Sequence, residues 1–301
     1  MPLRRYGRFA VETSHEEKPL FPEAGITKGG LIDHYESVWE VMRSHLRDRP
    51  LVLQRFPDGV KREGFYQKQA GDWFPSFVST CRVGVKQGGH QDLVIADKKA
   101  TLAFLADQAC VTLHVWLSRK DRLEHPDRLV VDLDPPPEGE FQAVRDAARW
   151  CGELLGQLGL SVYLATTGSR GLHVVVPLDR GASFDAVREL ARQAMELLAA
   201  RHPEQLTTAQ RKARRGQRIY LDLARNAYGQ TVVAPYAVRA LAEAPVATPI
   251  TWEELARTGP RSWTVRNLKR RLAAREDPWS GIGRRAAGLD AAKERLARMR
   301  G

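Results

Sequence analysis

Apolar residues recur at three- and four-residue spacing between Leu31 and Leu46, where Ile32, Tyr35, Val38, Trp39 and Met42 fall on one side of a helix. Short apolar runs follow at Leu51-Val52-Leu53, Arg82 to Lys86, Leu93 to Ala96 and Val111 to Leu117, each the length of a strand. The middle third is more sharply patterned. Leu129 to Asp134 alternates as a buried strand does, and Pro135-Pro136-Pro137 stops it. Phe141, Val144, Ala148, Cys151, Leu155 and Leu158 form a helical stripe that ends at Gly159. Leu160 to Ala165 and Leu172 to Leu178 read as two more strands, Phe184 to Ala200 as a second amphipathic helix, and Arg218 to Leu223 as a fourth strand. The order is β-α-β-β-α-β, the split-βαβ or ferredoxin-like arrangement of a mixed α/β (α+β) chain. In that topology the first and third strands are central and the fourth lies beside the first. A strand at Thr231 to Val233, helices near Trp252 to Ala256 and Ser262 to Ala274, and a basic helix from Leu289 to Met299 are predicted beyond it.

Charge sharpens this picture. The net charge is +11, and Arg201 to Gly301 alone holds 21 Lys and Arg against 9 Asp and Glu. The other 200 residues are close to neutral. A basic sector of this kind attracts polyanions, nucleic acid first among them, although an arginine-rich solvated face has the same composition. Cys81, Cys110 and Cys151 lie far apart, which argues against a disulfide framework or a zinc ribbon and suits a reducing cytosol. No stretch reaches the roughly 20 apolar residues that span a bilayer, and the N-terminus lacks an apolar signal core, so no membrane partner and a cytoplasmic, nucleoid-associated location are expected.

Candidate chemistry begins on the first central strand. Asp132 and Asp134 stand at i and i+2, so both carboxylates point to one sheet face. Two such groups repel, and a divalent cation resolves the conflict; hard oxygen ligands select Mg²⁺ or Mn²⁺. Asp222, on the fourth strand, is the third acidic group the topology brings to this place. D-x-D also occurs as two solvated residues of a surface strand, but here Leu129, Val130, Val131 and Leu133 flank the pair, and Tyr220, Leu221 and Leu223 flank Asp222. Between the second and third strands, Thr166-Thr167-Gly168-Ser169-Arg170-Gly171-Leu172-His173 is a glycine-bracketed turn. Its N–H groups, with Thr167, Ser169 and Arg170, could cradle a phosphate. A hairpin turn with no ligand fits the same residues. On spacing alone His114 reads as a half-buried histidine, Lys18 and Lys28 as surface lysines, and Phe65 and Tyr66 as core aromatics.

Taken together the segments Arg128-Leu-Val-Val-Asp-Leu-Asp-Pro135, Thr166 to Leu178 and Tyr220-Leu-Asp-Leu-Ala-Arg-Asn226 resemble three motifs of the primase–polymerase domain of bacterial ligase D, a member of the archaeo-eukaryotic primase superfamily. The resemblance extends to Ile26-Thr-Lys-Gly29, Phe65-Tyr-Gln-Lys68, Leu113-His-Val-Trp116 and Pro235-Tyr-Ala-Val-Arg239. It implies an RRM-like catalytic core over about 111–240, with an N-terminal αβ module over 1–110 and a basic helical segment over 241–301. The implied activity is a nucleotidyltransferase that adds nucleotides, ribonucleotides by preference, to DNA 3′ ends and short gaps in double-strand break repair by non-homologous end joining.

By the same resemblance Asp132, Asp134 and Asp222 are the catalytic ligands of two Mn²⁺ or Mg²⁺ ions. His114, Thr167, Ser169, Arg170, His173, Arg225 and Arg239 contact the incoming NTP or dNTP. Lys18 and Lys28 hold the 5′ phosphate of the downstream strand, and Phe65 and Tyr66 stack on a base. Implied partners are gapped or broken DNA, Ku and a DNA ligase; no K-x-D-G ligase motif or second histidine-rich phosphoesterase cluster occurs in the chain. Where many members have Pro-Tyr-Ser before the final arginine, this chain has Pro235-Tyr236-Ala237, and Ala240 to Ala244 is less basic than usual. Two other classes share some of these features. A nucleotide-sugar glycosyltransferase explains D-x-D but neither Asp222 nor the basic sector, and a non-catalytic RRM-like binding module would carry aromatics, not aspartates, on its open sheet face.

Overall fold

Alternation along Arg128–Asp134 sets Leu129, Val131 and Leu133 into an apolar core. The neighbouring positions Asp132 and Asp134, on the opposite face, stay half-buried. In the computed structural model, which describes residues 2–85 and 88–300, this strand is the third of a six-stranded sheet. The order across that sheet is Leu206–Thr207, Ile219–Asp222, Arg128–Asp134, Leu172–Pro177, Tyr163–Thr166 and Pro249–Ile250. The first and third strands of the β-α-β-β-α-β run are therefore central and the fourth flanks the first, as expected. Helices Phe141–Gln157 and Phe184–Arg201 supply Val144, Cys151, Leu155, Val187, Leu190 and Leu198 to the core, and the C-terminal helix Asp290–Arg300 adds Leu296. Ser183 caps the second of these helices by accepting from the Ala186 N–H.

A second sheet runs Thr231–Val233, Cys110–Trp116, Pro50–Arg55, His90–Ile95 and Ser79–Gly84, with the short strand Phe65–Gln67 also paired to Pro50–Arg55. Helices Lys28–Leu46 and Lys99–Asp107 belong to this part of the chain, the first capped by the Thr27 hydroxyl. Of the expected strand Arg82 to Lys86, Lys86 lies outside the described residues.

The chain divides into two compact units that are interleaved in sequence. One comprises Met1–Asp121, Thr231–Thr248 and Trp263–Glu276; the other comprises Arg122–Gln230, Pro249–Ser262 and Asp277–Gly301. The strand that carries His114 thus belongs with the N-terminal residues, and 241–301 is shared between the units. Two C-terminal elements also differ from expectation. At Trp252 to Ala256 there is a single turn: Thr251 and Glu254 cap each other reciprocally, but Gly259-Pro260 stops propagation. The helix expected from Ser262 begins only at Leu268, because Trp263 and Thr264 are used in bridge pairing with Pro245 and Val246. Cys81, Cys110 and Cys151 are free, and no described helix is long and apolar enough to cross a membrane.

Candidate active site

Register pairing draws a row across the face of the first sheet opposite its apolar core. Asp132 lies directly opposite Asp222 on one neighbouring strand and directly opposite His173 on the other, and His173 is in turn opposite Ala165. Directly paired residues project to the same side, so Asp222, Asp132 and His173 stand abreast. Asp134, two residues along, shares that face next to Tyr220, its own register partner. His173 is 8 % exposed and its Nε2 is 3.7 Å from an Asp132 carboxylate oxygen. Asp222 Oδ1 accepts from the Ala224 N–H at 2.8 Å, which fixes its rotamer as the chain leaves the strand.

Asp134 is 39 % exposed, against 22 % for Asp132, and two guanidiniums approach it: Arg170 at 3.3 Å and Arg215 at 3.4 Å. Arg215 was not singled out by the sequence. Its guanidinium lies 3.6 Å over the Tyr220 ring and donates to the Ala209 and Gln210 carbonyls, so it is held on three sides. The signal that could have found it is the basic run Arg211-Lys212-Ala213-Arg214-Arg215 immediately before the fourth strand.

The glycine turn is tight, but its polar groups are committed differently from expectation. Thr167 Oγ1 donates to the Gly171 carbonyl and accepts from the Ser169 and Gly171 N–H groups. The hydroxyl and the two amides expected to meet a phosphate are therefore spent on one another, which leaves Ser169 and Arg170 as the side chains displayed. Gly168 adopts φ +66°, and a Cβ on Gly171 would sit 2.0 Å from the Leu133 carbonyl oxygen. The turn thus lies directly on the backbone between Asp132 and Asp134. Arg261 donates to the Ser169 carbonyl from the far side.

Asn226, quoted above only as the end of a motif, has a definite role. Its side-chain amide donates to the Val130 carbonyl at 2.6 Å and accepts from the Val130 N–H at 2.8 Å. That pair of bonds continues the strand ladder where Ile219–Asp222 ends. Arg225 is half-buried in the same short turn.

The remaining candidates belong to the other unit. His114 is half-buried with the Tyr66 ring edge against it at 5.7 Å, and Arg239 follows the buried Tyr236-Ala237-Val238 segment. Lys28 is not a surface lysine. Its side chain is 8 % exposed and its Nζ meets Asp107 at 2.8 Å and Ser14 Oγ at 2.9 Å. Lys18 pairs with Asp58 at the surface, and its carbonyl accepts from the Lys28 N–H. Phe65 and Tyr66 are not core aromatics: both are largely exposed, and strand alternation sends them to opposite faces.

No group of three or more His, Cys, Asp or Glu side chains is arranged to hold a metal ion among the described residues. The donors still fit a hard divalent cation by type and position, because three carboxylates share one face of adjacent strands. Arginine charge from Arg170 and Arg215 compensates Asp134 in this arrangement.

The family described as LigD, primase-polymerase domain, is matched over residues 27–279, a span that contains both six-stranded sheets. The chain belongs to that family. The Multifunctional non-homologous end joining protein LigD of Pseudomonas aeruginosa is 32 % identical over 289 residues, covering 95 % of this chain and 34 % of that protein. The Bacillus subtilis Bifunctional non-homologous end joining protein LigD is 30 % identical over 241 residues, 79 % of this chain and 38 % of that protein. This chain therefore spans about a third of the length of these LigD relatives. Among solved structures, the polymerase domain of Mycobacterium tuberculosis Ligase D in complex with DNA superimposes with a TM-score of 0.86 at 30 % identity, over 92 % of this chain and 99 % of that one. The mixed α/β architecture is thus that of a LigD polymerase domain.

Proposed function

We propose that this chain is a DNA-directed, primase-type nucleotidyltransferase that fills short gaps and extends broken 3′ ends, with ribonucleotides preferred, during non-homologous end joining. The observation that carries the reading is the abreast row of Asp222, Asp132 and His173 with Asp134 beside it on the sheet face opposite the apolar core. Divalent cations, Mn²⁺ or Mg²⁺, held by Asp132, Asp134 and Asp222 would supply Lewis acidity for a two-metal transfer, activating the primer 3′-hydroxyl and neutralising the pyrophosphate leaving group. His173 and the displayed Ser169 would donate to the triphosphate, and Arg170 and Arg215 would meet its charge once released from Asp134. Gly171 and Asn226 keep the two acidic strands and the turn in one rigid frame, so the donors need little reorganisation when substrate binds.

His114, Arg225 and Arg239 are proposed to complete the nucleotide contacts, and Lys18 with Lys28 to meet a 5′ phosphate. For Lys28 that role requires the phosphate to share or replace Asp107. Ku and a DNA ligase are the partners this reading calls for, in a cytoplasmic, nucleoid-associated setting.

The test is extension of a labelled gapped duplex bearing a 5′ phosphate, comparing ribonucleotides with deoxyribonucleotides in Mn²⁺ and in Mg²⁺. Templated ribonucleotide addition that is lost in Asp134→Ala, with DNA affinity retained, is the expected result. Addition by Asp134→Ala near the unmodified rate would overturn the assignment. Tight DNA binding with no addition under any condition would make the chain a binding module.

A further inference from the structure

Six large hydrophobic residues are markedly exposed among the described residues, and two of them flank a single arginine. The Arg55 guanidinium carbon is 5.4 Å from the Phe65 ring centroid and 5.9 Å from that of Trp73. Arg55 is fixed from behind, with Nε donating to the Gln108 carbonyl at 2.9 Å and Nη1 to Gln67 Oε1 at 2.8 Å. These partners are a carbonyl and an amide, so they orient the cation without cancelling its charge.

Trp73 is 56 % exposed, yet it is not loose. Its ring meets Phe74 edge-on at 4.6 Å and Phe104 at 5.9 Å, and it lies over Gly71, where a Cβ would be 2.5 Å from the indole Nε1. A tryptophan recruited for stability alone would turn its surface inward; this one is braced along an edge and presents the rest to solvent.

We propose that Phe65, Arg55 and Trp73 form a continuous stacking platform for successive unpaired bases of a nucleic-acid strand, with Trp73 the position that extends it beyond Phe65. The proposal rests on the DNA-directed reading above. Ring faces accept any base, and an uncancelled guanidinium between two rings can stack on a base or meet its phosphate. Exposed charges around Phe65 balance, Arg62 and Lys68 against Glu63 and Asp72, so the cation that counts is Arg55 between the two rings, and a guanidinium held there favours a base with its phosphate over an apolar protein surface.

The experiment measures affinity for labelled duplexes with single-stranded 5′ extensions of graded length, against a blunt duplex, for the unmodified chain, Trp73→Ala and Trp73→Phe. Templated primer extension is followed in parallel. The unmodified chain is expected to gain affinity with extension length. Trp73→Ala should lose about 5- to 150-fold of that gain, the effect of one base–aromatic stack. Its blunt-duplex affinity should stay unchanged, and Trp73→Phe should recover most of the loss. Because the blunt duplex is an internal reference, a general folding defect would lower both affinities and is told apart by Trp73→Phe. If Trp73→Ala binds every extension within twofold of the unmodified chain while primers are still extended, the platform is refuted and the polymerase reading stands; the exposed rings would then serve a protein contact. If the unmodified chain neither binds nor extends DNA, the polymerase reading fails and this proposal with it.

Discussion

Replacing Asn226 with alanine removes a side chain that is 1 % exposed and closes two hydrogen bonds with one residue, Val130. Both Val130 groups lie on the buried strand that carries Asp132 and Asp134. Each buried polar group left without a partner costs about 1–3 kcal/mol. Two such groups give roughly 2–6 kcal/mol of destabilisation, at the large end for a single substitution. Asn226→Asp is the sharper probe. The carboxylate still accepts from the Val130 N–H, but its second oxygen faces the Val130 carbonyl with no proton to donate, so Asn226→Asp should be at least as damaging as alanine at neutral pH. Because Asn226 continues the ladder that sets Asp222 opposite Asp132, primer extension should fall together with stability. The assay is urea unfolding followed by tryptophan fluorescence, with extension kinetics well below the unfolding transition. A loss under about 0.5 kcal/mol with extension at the unmodified rate would refute the assignment of Asn226 as the clamp between these strands.

Gly171→Ala would drive a Cβ into the Leu133 carbonyl and should displace the strand between Asp132 and Asp134, abolishing extension while circular dichroism stays native; extension above a tenth of the unmodified rate would contradict this. Arg215→Ala should lower extension by tenfold or more with DNA affinity little changed, and Arg215→Lys should not restore it, since lysine cannot reproduce the planar stack on Tyr220 together with the two carbonyl bonds. His34 is fully buried with Nε2 on the Tyr236 carbonyl, and burial lowers its pKa from 6.5 to about 4. The unfolded chain therefore binds the proton first. Stability from the neutral ring is complete above pH 6.5 and is lost progressively down to pH 4, by about 3 kcal/mol. His34→Gln should flatten that part of the stability–pH curve, and an unchanged slope would exclude the residue as its source.

The sheet of the candidate site was legible because its strands are long enough to show alternation and are bounded by Pro135 to Pro137 and by glycines. From that pattern alone Asp132, Asp134 and Asp222 could be placed on one face, with His173 on the adjoining central strand. The pattern carried no comparable signal for Arg215, which depends on a turn and a cation–π stack, or for the role of Asn226, whose two bonds reach a residue 96 positions away. Lys28 illustrates the converse. Nothing near it in sequence announces Asp107, so a buried ion pair reads as a solvated lysine. Helix Lys99–Asp107 escaped notice because all but its first residue are buried, which erases the amphipathic period. Tyr236 adopts φ +68° in a fully buried segment, a conformation that no spacing rule would assign to a tyrosine.

The interleaving of the two units bears on how the chain comes off the ribosome. The strand Thr231–Val233 pairs with Cys110–Trp116, yet all of Arg122–Gln230 is made between them. Until then the N-terminal sheet keeps an unpaired edge on one of its most apolar strands, a template for mispairing with other chains. The pairing is also strongly non-local, which slows its formation. Truncation after Gln230 would leave that edge permanently open, so a shortened chain ending there should aggregate even though the carboxylate-bearing strands are all present.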